Sequence, residues 1–94
     1  MKKKTDQPSA CGDPLEPGKF YILNSQYDEA QRFFEERMAS DENNPEIHYH
    51  LGLIAEATHD TDRARECYER VLSIQPKHRL ARKHLNVLLG LEKP

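Results

Sequence analysis

Five histidines (His48, His50, His59, His78 and His84), two cysteines (Cys11 and Cys67) and a large set of carboxylates are the residues of this 94-residue chain that could do chemistry. Metal binding or proton transfer needs such groups converging on one face, which on a helix means a spacing of three or four residues. His48 and His50 are two apart and diverge, and no histidine pair has the required spacing. Histidines that pack in a core or face solvent are therefore expected, with no metal site. Cys11 lies in polar, proline-rich sequence and Cys67 inside a helical pattern, so no disulfide framework is expected. Cys67 reads as a reduced, small, buried apolar residue. Glycine-rich phosphate loops, paired-cysteine metal motifs and Ser/His/Asp arrangements are all missing from the sequence. No catalytic residue, no enzyme activity and no cofactor are expected.

The charged groups are arranged unevenly. Over residues 28–46 seven acids (Asp28, Glu29, Glu35, Glu36, Asp41, Glu42 and Glu46) stand against Arg32 and Arg37, a balance of −5. Over residues 63–83 seven bases (Arg63, Arg65, Arg70, Lys77, Arg79, Arg82 and Lys83) stand against Glu66 and Glu69, a balance of +5. The chain is electrically two-ended, although its net charge is only −2. Lys77, Arg79, Arg82 and Lys83, with His78 and His84, make a basic cluster. It has no interleaved aromatics for base stacking, so an acidic protein partner or solvent is expected there rather than nucleic acid.

These side chains must be positioned by helices. Residues 1–18 carry a lysine run, three prolines and two glycines without periodicity, which predicts a disordered leader. Met1-Lys2-Lys3-Lys4 is followed by no apolar run, so neither a secretory signal nor a membrane span is expected, and the cytoplasm is the expected location. A structured domain is expected over residues 19–94, opening with a short helical piece at 19–24. Ser25-x-x-Asp28 reads as a capping box for a helix carrying Ala30, Phe33, Phe34 and Met38. Asn44 caps the next helix, with Pro45 at its first position, and Ile47, Leu51, Ile54 and Ala55 form its apolar stripe. Asp60 or Thr61 starts a helix with Ala64, Tyr68, Val71 and Leu72, which Gln75-Pro76 ends. A last helix over 78–91 shows Ala81, Leu85, Leu88 and Leu89. No segment alternates as a strand would. The hydrophobic fraction, 36%, leaves only a thin core for an all-α chain of this size.

The helices repeat. Ala30 and Ala64, Phe34 and Tyr68, Met38 and Leu72, Asn44 and His78, and Leu51 and Leu85 are all separated by one and the same interval. A fixed period of this size predicts stacked antiparallel helix pairs, none able to bury its apolar face alone. Gly52, costly inside a helix, is expected to face Ala64 where the two helices of one pair cross.

The stretch His48-x2-Leu51-Gly52-x2-Ala55, with Ala64-x3-Tyr68 and Pro76 after it, resembles the tetratricopeptide repeat family. Residues 45–78 resemble one full repeat, 19–44 a preceding repeat whose first helix is truncated by Pro14 and Pro17-Gly18, and 79–91 the first helix of a third. His48 stands for a bulky aromatic, Ala55 for a tyrosine and His59 for a turn glycine. The resemblance implies an antiparallel helix-hairpin solenoid fragment of about two repeats plus a C-terminal capping helix, acting as a protein-interaction adaptor or scaffold. It implies a concave groove for a peptide or protein partner formed by Asn44, Glu46, Tyr49, His50, Leu53, Glu56 and Ala57, with Leu80, Lys83, His84 and Val87 from the last helix. The lysine–asparagine–arginine clamp that some relatives place on a partner's terminal carboxylate has no counterpart at these positions. Leu80, Val87 and Leu91 lie off the core stripe of the last helix, so self-association into a homo-oligomer through residues 78–91 is the alternative expectation.

Overall fold

The computed structural model describes residues 14–93; the lysine run, Cys11 and most of the expected leader lie outside them. Five helices follow in order: α1 (Glu16–Leu23), α2 (Tyr27–Ser40), α3 (Pro45–Ala57), α4 (Thr61–Ile74) and α5 (Arg79–Leu88). No strand occurs among the described residues. Each helix packs on the next, α3 against α4 most extensively, which makes an all-α run of antiparallel hairpins. Helices α2 and α4 have the same length, 14 residues, and begin one repeat period apart.

The helix starts follow from side-chain chemistry. Asn44 Oδ1 accepts the backbone N–H of Glu46 at 3.0 Å, and Pro45 takes the first position of α3. Asp60 Oδ1 accepts the N–H of Arg63 at the start of α4. The expected capping box at Ser25 does not form: Gln26 precedes α2, and no side chain caps it. Ser25 is instead drawn into ending α1. Its φ of 60° places it in the left-handed region, its N–H donates to the Ile22 carbonyl, and that of Gln26 donates to the Tyr21 carbonyl. The same pair of bonds closes α3 at His59 (φ 66°) and α5 at Gly90 (φ 78°). All three first-of-pair helices thus end in one motif, in which a left-handed residue and the one after it each return an amide to the last turn.

The leader was expected to run through residue 18, and here the structure differs. Leu15 is buried and α1 begins at Glu16. Pro17 and Gly18, expected to truncate the helix, sit within it. The proline lies in the first turn, where its missing N–H costs nothing. Gly18 lies where the α1 backbone meets the rings of Phe33 and Phe34. At the other end, α5 stops at Leu88 rather than reaching residue 91.

Two apolar clusters make the core. One joins Leu15, Ala30, Phe34, Ile47, Leu51 and Ile54 from α2, α3 and the entry to α1. The other joins Tyr49, Ala55, Ala64, Tyr68, Val71, Ala81 and Leu85 from α3, α4 and α5. Gly52 was expected to face Ala64 of the next helix; what lies nearest to its missing side chain is the Tyr68 ring of that same next helix. A methyl group on Gly52 would lie 2.6 Å from Tyr68 Cε1, so the missing side chain makes room for the tyrosine ring, one turn beyond Ala64. No described helix is long and apolar enough to cross a membrane.

Candidate functional site

The repeat period brings a further set of residues together. Phe34 of α2 stacks on His50 of α3, with ring centroids 5.1 Å apart and planes 12° from parallel. Tyr68 of α4 stacks on His84 of α5 in the same way, at 5.2 Å and 23°. With Gly18 and Gly52 beneath the two aromatics, each unit is a glycine, an aromatic and a histidine evenly spaced along the chain. The glycine lets the ring lie on the first helix of its own hairpin. The histidine of the next hairpin then covers the ring's other face. This seam was legible in principle, because Gly18 and Gly52, like His50 and His84, share the period, but the proline beside Gly18 pointed to a break instead.

The second unit carries a polar network. Tyr68 O–H donates to Glu56 Oε1 at 2.5 Å, and His84 Nδ1 lies 2.9 Å from the same oxygen. A carboxylate oxygen only accepts, so His84 carries its proton on Nδ1. Burial first, and then the Glu56 carboxylate, push the Tyr68 phenol far above its ordinary range. Tyr49 is pushed up too, by burial and then by the charges of Glu46 and Glu56. Its ring lies within 5.0–6.0 Å of those of His50, Tyr68, His78 and His84. His78 joins α3 to α5: Nδ1 accepts the N–H of Ala81 at 3.1 Å, capping α5, and Nε2 donates to Glu46 Oε2 at 2.9 Å.

The structure divides the expected groove residues into two groups. Tyr49 and His50 are 8% and 7% exposed, packed in the seam rather than offered to a partner. His50 Nδ1 also donates to the Glu46 carbonyl. Asn44 is half-buried by its capping role, its Nδ2 donating to Asp41, and Glu46 is engaged by His78. Leu53 is half-buried beside the second core cluster. Glu56, Lys83, His84 and Val87 together line a cleft of about 270 Å³ between α3 and α5. Ala57 and Leu80 are exposed, the latter 55%. Of the residues expected to mediate self-association, Leu80 and Leu91 (71%) are exposed and Val87 is half-buried in the cleft wall. A larger cleft of about 510 Å³ lies beside it, lined by Pro76, Lys77, His78, Arg79, Arg82, Lys83, Asn86 and Glu92.

Each histidine outside the left-handed turn at His59 is held by packing or by a carboxylate or carbonyl. No group of three or more potential metal ligands converges among the described residues. Cys67 is half-buried, and its thiol is pushed up by desolvation, with Arg63 pulling the other way, so it is a poor nucleophile.

Residues 20–93 match the family described as the cilia and flagella-associated protein 70 middle TPR-like domain. Two human proteins, RANBP2-like and GRIP domain-containing proteins 1 and 2, are each 34% identical over 58 residues, which is 62% of this chain. The chain spans 3% of the length of either relative. Domains of this TPR-like kind are protein-interaction modules and are typically non-enzymatic. The matched span takes in all of α2 to α5 and the hairpin period, and the chain belongs to the cilia and flagella-associated protein 70 middle TPR-like domain family.

Proposed function

We propose that the chain is a scaffold that holds an extended segment of a protein partner across the face shared by α3 and α5. One observation carries this reading: the 270 Å³ cleft bounded by Glu56, Lys83, His84 and Val87 lies between the first helices of two consecutive hairpins. Half-buried Val87 offers apolar surface there and Lys83 a charge, and half-buried Leu53 lies one turn before Glu56 on α3. Tyr49 and His50 act by shaping the floor, and Glu56 by fixing the side walls through Tyr68 and His84. The reduced thiol at Cys67 fits a cytoplasmic setting.

Selection of peptides against the full chain, followed by amide chemical-shift mapping, tests this reading. Shifts centred on Leu53, Lys83, His84 and Val87, abolished by Val87→Glu, are the expected result. Binding that leaves these amides unmoved sinks it. A second reading is favoured by the exposure of Leu80 and Leu91: two copies associate through α5 and the turn that follows it. Sedimentation would then show a dimer that Leu80→Glu disperses, whereas a monomer at high protein concentration removes this reading.

A further inference from the structure

The cleft beside the groove is different in kind. Its cations come from the α4–α5 turn (Lys77) and the outer side of α5 (Arg79, Arg82 and Lys83), and only Lys83 also borders the groove. All four are exposed, and none forms an ion pair among the described residues. The acids that could neutralise them are already used or distant. Glu46 is bonded to His78, Glu56 to Tyr68 and His84, and Glu92, on the rim, accepts from Asn86 Nδ2 at 2.8 Å. Four such cations around one concavity raise the local concentration of anions and wait for a counter-charge.

We propose that this cleft is a second docking site, for an acidic stretch of the partner segment that continues out of the groove past Lys83. It rests on the groove reading for the direction of the chain but has its own residues. A protein carboxylate run fits better than a nucleic acid. The lining contains no ring free for base stacking, since His78 is packed on Tyr49 and committed to capping α5. Glu92 on the rim would repel a continuous row of phosphates. Separate carboxylates on flexible side chains can meet the four cations and avoid Glu92. An aliphatic residue in the smaller cleft followed by Asp or Glu residues is therefore the preferred ligand.

The test uses the full chain and a fluorescent synthetic peptide in which leucine precedes a run of glutamates, with a glutamine-substituted control. Anisotropy at low salt should show binding of the acidic peptide and little of the control. Arg79→Glu with Arg82→Glu should weaken it about tenfold, the scale of two partly screened charge pairs, and added salt should do the same. Lys77→Glu is a milder variant with the same expected direction. Equal binding of both peptides, or undiminished binding to the double variant, overturns the proposal. So does displacement of the peptide by a single-stranded oligonucleotide at lower concentration. If Val87→Glu abolishes binding while the arginine variants do not, the groove survives and the acidic site falls. Loss in the arginine variants alone keeps the acidic site and removes the groove.

Discussion

Gly52 shows how much one missing side chain can decide. Alanine has the higher helix propensity by up to about 1 kcal/mol, and in an exposed helix Gly52→Ala would stabilise. Here the new methyl would sit 2.6 Å from a Tyr68 ring that is fully buried and held by His84 and Glu56. Overpacking of this kind costs about 1–3 kcal/mol, so Gly52→Ala is expected to destabilise on balance. Urea denaturation checks the sign, and a gain in stability would remove the glycine's assigned role. Tyr68 supplies a second prediction. Its phenol is held protonated well above the ordinary tyrosine value of 10.0. Above that value the unfolded chain loses a proton that the folded chain keeps, so stability must fall as pH rises past about 10. Tyr68→Phe should cost about 2 kcal/mol at neutral pH, the worth of a hydrogen bond to a charged acceptor. It should also lessen the alkaline loss, leaving the part due to Tyr49. Denaturation midpoints across the alkaline range give both numbers.

At the scale of elements, α5 depends on its first cap. It is 10 residues long, below the length at which an isolated helix holds in water. His78 gives it an acceptor for the Ala81 N–H and ties it to Glu46 of α3. His78→Asn preserves a capping oxygen and loses the tie, whereas His78→Ala loses both, and the difference should be about 1 kcal/mol. Hydrogen exchange at α5 amides is the measurement: exchange should quicken more in the alanine variant than in the asparagine variant. Equal exchange in the two would mean that the imidazole cap carries no weight. The helix also departs from the pattern of α1 and α3. Asn86 occupies the place of Gly52 one period further on, and donates to Glu92. So α5 presents a side chain where the two earlier first helices present bare backbone to an aromatic ring.

At the scale of the whole molecule, α3 is the element on which both clusters depend. Ile47, Leu51 and Ile54 enter one, and Tyr49 and Ala55 the other. A linear stack with a shared central helix should open from its ends. Amides of α3 and α4 are expected to exchange slowest, and those of α1 and α5 to open at lower free energy. Uniform protection across the five helices would contradict this picture and indicate a single cooperative unit. The opposite charges of residues 28–46 and 63–83 do not collapse onto each other, apart from a surface pair of Arg63 and Glu35 at 3.1 Å. Pairs this exposed contribute little, and the remaining cations on α5 stay available.

The order of the helices from α2 to α5, the cap at Asn44 and the repeat period were determined by the sequence alone, which left the cap of α4 between Asp60 and Thr61. Each depends on residues a few positions apart, or on a spacing that can be counted. The tertiary structure decided which faces meet. It laid the Tyr68 ring on Gly52, turned Gly18 from a breaker into a packing position, and packed Tyr49 and His50 into the seam. The physical reason is that a side chain's exposure depends on the helix that covers it. That neighbour's rotation and depth follow from the volumes of all the side chains between them, which no local pattern records.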